Sequence, residues 1–238
     1  MNAERPELSA IVLCYRAGQS ITRVIEPLNS LLERAGITYE LVLVANHWPD
    51  HHDETIEIAR RFAAAHNHVI VLDHEKQGGM GWDMRSGLDA ARGAKLVVID
   101  GDAQNPVEDV VRMYELLRDT CADLGKGRRT NRADGLYRKV ISAGFNSLFC
   151  LLFRTWDLWD INGKPKGLTR EAYSQMGLQS NDWFVDAEMV LAARRRSMKI
   201  AELPVVFLEN KERSSFVRLS AIWEFVVNMV RCAIRGRP

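Results

Sequence analysis

The chain has 238 residues, 47% of them hydrophobic and 26% charged, with a formal net charge of +1. That length suits one sizeable domain, or one domain with an appended element. The near-neutral overall charge says nothing about a polyanionic partner; its distribution says more. Four cysteines, Cys14, Cys121, Cys150 and Cys232, lie far apart and form no close pair. They speak against a disulfide framework or a zinc site and fit reduced thiols in a cytosolic setting.

Met1 to Glu7 is polar and lacks the apolar core of a signal peptide. Ala10 to Tyr15 reads as a short apolar strand. Ser20 to Ala35 carries helical periodicity through Ile21, Val24, Ile25, Leu28, Leu31 and Leu32, with Gly36 placed to end it. Tyr39 to Ala45 is a second strand, and Asp53 to His66 a second helix with Asp53 as its N-cap. His68 to Leu72 follows as a third strand, and Trp82 to Ala91 as a short helix ending near Gly93. Lys95 to Ile99 is the fourth strand and Val107 to Thr120 another helix.

Beyond these the pattern is less regular. Asp123 to Lys139 is basic, with Lys126, Arg128, Arg129, Arg132, Arg138 and Lys139. Alone, such a run reads as a solvated face; beside a phosphate site it becomes an anion-binding surface, because Arg grips phosphate through a rigid fork. Phe145 to Trp159 is the most apolar stretch, but it is too short to span a bilayer and contains Arg154 and Asp157. It reads as a packed or a surface-seeking helix. Phe184 to Lys199 is helical, and Ala201 to Phe207 is a strand whose Pro204 marks an edge position or a strand end.

Strands separated by helices imply an α/β fold with a mostly parallel sheet covered on both faces. Right-handed crossovers then gather the strand ends at one edge, where open α/β sheets bind ligands. That edge collects Tyr15, Arg16, Asn46 and the acidic segment Asp100-Gly101-Asp102-Ala103-Gln104-Asn105-Pro106. If the extended conformation persists, Asp100 and Asp102 share one face. Two carboxylates without a basic neighbour repel, and a divalent cation relieves that repulsion. The alternative is a plain acidic turn, with Pro106 opening the next helix. His47, His51, His52, His66, His68 and His74 cluster around the second helix. The pair His51-His52 with Asp53 could suggest a metal site, but adjacent helix positions diverge and no Cys joins them, so the pair reads as a solvated loop.

The order of these pieces resembles family 2 glycosyltransferases, in the branch of dolichyl-phosphate mannose synthase and bacterial polyprenyl-phosphate glycosyltransferases. The resemblance runs from about Ser9 to the C-terminus and is anchored on Asp100 to Pro106. Gly79-Met80-Gly81 with Arg85 and Gly87 resembles the glycine-rich helix start before that motif. Asp160-Ile161-Asn162-Gly163-Lys164-Pro165-Lys166 resembles the acceptor-side segment. Asp182 to Glu188, Lys199 to Val205, and Arg213-Ser214-Ser215 then follow in the family's order.

The resemblance implies a GT-A-like, Rossmann-like domain over residues 1–210, followed by a C-terminal segment at 211–238. It implies a nucleotide-sugar donor, Mg2+ or Mn2+, and inverting transfer of a sugar, most often to a lipid phosphate. Carried over by position, Asp100, Asp102 and Gln104 would hold the metal on the donor diphosphate. Tyr15, Asn46, Arg85 and Asp100 would serve the donor, and Arg128, Arg132 and Arg213 the acceptor phosphate. Asp160, Asp186 and Glu188 would face the reacting sugar. The chain departs from the pattern twice. Arg16-Ala17 replaces Asn-Glu after the first strand, and Ala45-Asn46 replaces the acidic pair after the second. These departures leave open a catalytically weak nucleotide-sugar-binding module.

A phosphate acceptor needs no deprotonation, whereas a soluble hydroxyl acceptor needs a carboxylate base such as Asp160, Asp186 or Glu188. The acids at 186 and 188 also suit a helix N-terminus, and Asp160 a turn. From Ser215 to Pro238, the residues Ile222, Phe225, Val226, Met229, Val230 and Ala233 follow helical spacing among Arg218, Arg231, Arg235 and Arg237, with Trp223 nearby. This basic amphipathic helix suits a bilayer interface, giving a peripheral, cytoplasmic-face enzyme, or equally a protein surface. The basic patches lack interleaved aromatics, so nucleic acid is not an expected partner.

Overall fold

The computed structural model describes residues 5–49, 53–132, 135–208 and 226–232, apart from the side chains of 131–142. The elements are β1 (Leu8–Leu13), a short 3-10 turn (Gly18–Ile21), α1 (Thr22–Ala35), β2 (Tyr39–Val44), α2 (Thr55–Ala65) and β3 (Val69–Leu72). Next come α3 (Met80–Ala90), β4 (Lys95–Asp100), α4 (Glu108–Thr120), β5 (Leu124–Arg132) and α5 (Gly135–Phe153). The last are β6 (Lys166–Thr169), α6 (Arg170–Met176), α7 (Val185–Arg195) and β7 (Ile200–Phe207). A helical segment also spans 226–232.

The strands form one mixed sheet in the order β3-β2-β1-β4-β6-β5-β7. β1 to β4 run parallel, β6 is antiparallel to β4 and β5, and β7 runs parallel to β5 at the edge. Alternation along each strand divides the core. Ile11, Val42, Val44, Leu96 and Val98 pack toward α3, α5, α6 and α7. Ala10, Val12, Leu41, Leu43, Val97 and Ile99 pack toward α1, α2 and α4. Continuing the two-residue period, Asp100 points with Leu96 and Val98, toward the α7 side.

Several expectations shift by a residue or two, as helix and strand ends commonly do. Gly36 ends α1 in the left-handed region, at φ 65°, as a glycine cap does. Asp53 lies one position outside the N-cap of α2, yet its Oδ1 accepts from the Thr55 N–H at 3.0 Å. Pro204 sits in β7, which is indeed an edge strand.

Larger differences lie in the second half. The basic run is not a solvated face throughout. It is largely β5, and Lys126 within it is fully buried. β6 and α6 carry no clear apolar period and were not expected from sequence. His51 and His52 lie outside the described residues. Of the other histidines, His66 stacks on Phe62, and His68 meets Tyr39 edge-on.

α7 is buried around nearly its whole circumference, from Val185 to Ala193. Part of its cover is the 226–232 segment, where Met229 and Cys232 are buried and Asn228 Nδ2 donates to Asp182 Oδ2 at 2.5 Å. The described part of the C-terminal segment thus packs on its own domain. The remainder, including Ile222, Trp223 and Arg235, lies outside the described residues.

Two glycines fix how the acceptor-side segment meets the sheet. A Cβ on Gly163 would stand 2.1 Å from the Gly127 carbonyl oxygen, and one on Gly127 would stand 2.2 Å from the Lys164 carbonyl oxygen. These are backbone-on-backbone contacts that no rotamer change relieves. Gly163→Ala is expected to destabilise the fold by about 2 kcal/mol, the cost of overpacking a closed interface. Chemical denaturation checks it, and an unchanged midpoint would show that the two backbones separate freely.

Candidate active site

Three groups of side chains meet along the C-terminal ends of the parallel strands. The first is a cluster of side chains beyond the ends of β1 and β2. After β2 the chain stays extended, so that His47 N–H donates to the His74 carbonyl at 3.1 Å and Lys76 N–H to the His47 carbonyl at 2.8 Å. This pairing brings Lys76 to Asn46 and Tyr15. The Lys76 ammonium lies 4.3 Å from the Tyr15 ring centre and 6.0 Å from that of Trp48, within cation–π range. It also pairs with Asp83 of α3, both side chains being buried. Asn46 is held from three sides: Nδ2 donates to Asp83 Oδ1 at 3.0 Å and to Ser86 Oγ at 3.1 Å, while Oδ1 accepts from the His74 N–H at 2.9 Å. Burial lowers the Lys76 ammonium and raises the Asp83 carboxyl, each against their mutual attraction.

Lys76 and Asp83 were not singled out in the sequence. Their separation of seven residues looks unremarkable until the extended pairing of 46–48 with 74–76 faces one toward the other. Arg85, on the same helix, braces a neighbouring loop: its Nη1 donates to the Gln179 carbonyl and to Asn181 Oδ1, both at 2.8 Å.

The acidic segment after β4 forms the second group. Extended backbone stops at Asp100, and the chain turns through 101–103, with Ala103 at φ 58°. Asp102 Oδ1 accepts from the Gln104 N–H at 3.1 Å, closing a local turn. Gln104 Nε2 donates to the Leu208 carbonyl at 3.2 Å, and the Leu208 N–H returns a bond to the Gln104 carbonyl at 2.8 Å. The premise that no base lies near the pair holds along the chain but fails in space. Lys164 Nζ stands 3.1 Å from Asp100 Oδ1.

Lys164 joins this group to the third, on the acceptor side. Its ammonium is 3.9 Å from Asp186 Oδ2, and Lys166 Nζ is 3.6 Å from Asp186 Oδ1. All three side chains are almost wholly buried. Burial works to lower Lys164, but the carboxylates of Asp100 and Asp186, and then Asp102, outweigh it and hold the ammonium above its usual value. For Lys166 burial prevails over Asp186 and pushes the group down to about 8. Asp186 Oδ1 has no hydrogen-bond partner beyond these ion pairs.

Asp160, at φ 54°, is gripped by Arg129: the guanidinium forks onto both carboxylate oxygens, and the Arg129 N–H adds a bond of 2.9 Å to Oδ2. Burial would raise the Asp160 carboxyl, but this grip outweighs it and holds the group below the usual carboxylate range. Glu188 accepts from the Gln179 and Ser180 N–H groups at 2.8 Å each. Arg128 is half exposed, 3.8 Å from Glu202. Arg132 ends β5 with its side chain undescribed, and Arg213 lies outside the described residues.

The acidic segment fits a hard divalent cation in its donor chemistry, since Asp100 and Asp102 offer carboxylate oxygens one residue apart. Among the described residues no three His, Cys, Asp or Glu side chains gather as a ready-made cage. The remaining ligands would come from phosphate oxygens and water, as is usual for Mg2+.

A family profile described as Glycosyl transferase family 2 matches residues 9–177, most of the chain. The chain belongs to glycosyl transferase family 2. Among the relatives of this family 2 domain, Glycosyltransferase AglD of Haloferax volcanii is 31% identical over 209 residues, covering 84% of this chain. The chain spans only 32% of that relative's length. Dolichyl-phosphate beta-glucosyltransferase ALG5C of Trichomonas vaginalis is 23% identical over 246 residues, covering 95% of this chain and 71% of its own. Among solved structures, glucosyl-3-phosphoglycerate synthase from Mycobacterium tuberculosis, with Mn2+, UDP and glucosyl-3-phosphoglycerate, superposes with a TM-score of 0.73 at 17% identity. That match covers 98% of this chain and 81% of the other. Mannosyltransferase PcManGT from Pyrobaculum calidifontis, with GDP-Man and Mn2+, gives 0.67 at 19% identity, covering 98% and 65%. These likenesses show a common α/β, GT-A-like fold.

Asp160→Asn is expected to cost about 3 kcal/mol at pH 7, the order lost when one partner of a buried ion pair is removed. Because its folded pKa is lowered, Asp160 contributes stability that is present above about pH 4, the ordinary carboxylate value, and lost as pH falls through the lowered one. The gap between wild type and variant should therefore narrow in acid. Urea titrations at pH 7 and pH 3 test this, and a constant gap would remove the assigned ion pair.

Proposed function

We propose that this domain moves a sugar from a nucleotide-sugar donor onto a lipid phosphate, a polyprenyl phosphate being the acceptor that suits it best, with inversion at the anomeric carbon. One observation carries the choice of acceptor. Two of the three carboxylates the sequence offers as a base are hydrogen-bonded, Asp160 by Arg129 and Glu188 by two backbone N–H groups, and the third, Asp186, has its charge balanced by ammonium groups at 3.9 and 3.6 Å. A hydroxyl acceptor needs such a base, whereas a phosphate arrives as an anion. Relatives named as acting on lipid phosphates, such as the Trichomonas dolichyl-phosphate beta-glucosyltransferase, support the same reading.

In this scheme Tyr15, Asn46, Lys76 and Asp83 line the nucleotide side, while Arg85 holds the loop that closes over it. Asp100 and Asp102, with Gln104 on the same turn, would hold Mg2+ or Mn2+ against the diphosphate. An ion there, when bound, neutralises the charge of the leaving group as a Lewis acid. An oxygen of the acceptor phosphate attacks the anomeric carbon from the face opposite the diphosphate. The carbon–oxygen bond to the diphosphate breaks, and the nucleoside diphosphate departs with the electron pair. Asp186 and Lys166 set the field around the sugar, while Asp160 and Glu188 act as anchors for Arg129 and the 179–180 loop. Arg128, with Arg132 and Arg213, would meet the acceptor phosphate.

Leu151, Trp156 and Trp159 are exposed at the end of α5 and just beyond it, leading into Asp160. Indole rings favour the boundary between apolar and aqueous phases, so this rim suits a membrane surface carrying the acceptor. Among the described residues no helix is long and apolar enough to cross a membrane.

The weak-binder alternative rests on two departures, Arg16-Ala17 and Ala45-Asn46, and the structure bears on the second. Asp83, reaching the same cluster from α3, supplies a carboxylate beside Asn46 and speaks for a working donor site.

Two measurements test the reading. The full chain, given labelled UDP- and GDP-sugars with Mn2+, is expected to label a polyprenyl phosphate and not the matching polyprenol. Labelling of the alcohol alone would replace the proposed acceptor. Asp102→Asn is expected to lower transfer on the order of a hundredfold or more, as losing one charge-stabilising group commonly does; undiminished turnover would end the assignment. Separately, the double variant Trp156→Ser, Trp159→Ser is expected to lose co-sedimentation with anionic phospholipid vesicles while retaining nucleotide binding.

A further inference from the structure

The Lys164 ammonium stands on one oxygen of the first carboxylate assigned to the metal. It is 3.1 Å from Asp100 Oδ1, with Asp186 on its other side at 3.9 Å, and its side chain is only 6% exposed. Its backbone is pinned. Asn105 Nδ2, from the acidic segment itself, donates to the Lys164 carbonyl at 3.0 Å, and Gly127 closes on the same residue from β5. The ammonium also lies 3.6 Å from Met80 Sδ, at the start of α3. Such a group cannot retreat to solvent when a second cation arrives.

A divalent ion on Asp100 and an ammonium on the same carboxylate repel at close range, and the ammonium, unlike the partly exposed carboxylate, is shielded from water. The donor diphosphate brings the negative charge that lets both stay. We propose that Lys164 is a tethered cation that holds Asp100 in the metal-free enzyme, so that the divalent ion enters together with the donor diphosphate, which then takes over the ammonium. Metal and nucleotide are thereby coupled, each raising the other's affinity by the same factor. In the loaded state Lys164 contacts the leaving group and is a catalytic residue in its own right. The inference rests on the proposed role of Asp100 and Asp102, and it concerns this chain's lysine rather than the metal site as such.

Free Mn2+ counted by electron paramagnetic resonance tests it without any turnover. The full chain is titrated alone, with UDP, and with GDP. Wild type is expected to bind Mn2+ weakly alone and at least tenfold tighter with one of the nucleotides. Lys164→Gln is expected to bind Mn2+ alone at least tenfold tighter than wild type, with the coupling reduced. Lys164→Arg, which keeps the charge, is expected to behave as wild type. Equal Mn2+ affinity of wild type and Lys164→Gln in the absence of nucleotide overturns the inference, as does tight, nucleotide-independent binding by wild type. If wild type binds no Mn2+ even with either nucleotide, the metal reading beneath it fails instead.

Wild-type crystals grown with and without Mn2+ and nucleoside diphosphate supply a readout that does not depend on a variant folding. The Lys164 ammonium is expected on Asp100 without the ion and on a phosphate oxygen with it. An ammonium still bonded to Asp100 beside a bound ion overturns the proposal.

Discussion

The candidate site is organised around charge neutralisation in a place with little water. Asp100 and Asp186 flank the Lys164 ammonium, the field of Asp102 reaches it too, and Lys166 sits on the far side of Asp186. Lys164, Lys166 and Asp186 are the buried members, and none of the three tolerates burial alone, since an unpaired charge in such surroundings costs several kcal/mol. Their mutual balance is what lets the end of β4, the start of β6 and the first turn of α7 converge. The same balance governs which charged ligand the site can accept, because an incoming cation and an incoming diphosphate disturb it in opposite directions.

The first half of the fold is readable from sequence because its rules are local. Apolar runs at 8–13, 39–44, 69–72 and 95–100 mark strands, and the spacing of Val24, Ile25, Leu28 and Leu32 marks a helix face. The acidic segment is legible for the same reason, standing where an apolar run stops. The shape of that segment is less so. The turn at Ala103, which ends the extended chain after Asp100, leaves no strong mark in the residue types.

The second half hides its structure behind lysine. Lys126 in β5 and Lys166 in β6 are fully buried, and each reaches a backbone carbonyl of the 159–161 segment. Hydrophobic patterning counts such residues as solvated, so β5 reads as a basic surface and β6 disappears. The pairing of Asp100 with Lys164 joins residues 64 apart in sequence and is invisible to any spacing rule. Lys76 and Asp83 are hidden for a related reason, since one stands in a loop and the other on a helix. In each case the missing information is a partner distant in sequence or a bend between near neighbours.

The contact between Gly127 and Gly163 has a consequence for how this enzyme could be altered. With no side chain between them, the 160–166 strap and the central sheet share one backbone surface, so the strap cannot be reshaped without moving Lys164, which pairs with Asp100. In the proposed scheme, changing the acceptor by swapping that strap alone would disturb donor handling as well. Variants with new acceptors are therefore better sought at the exposed rim of Arg128 and Trp159, where a change leaves this seam intact.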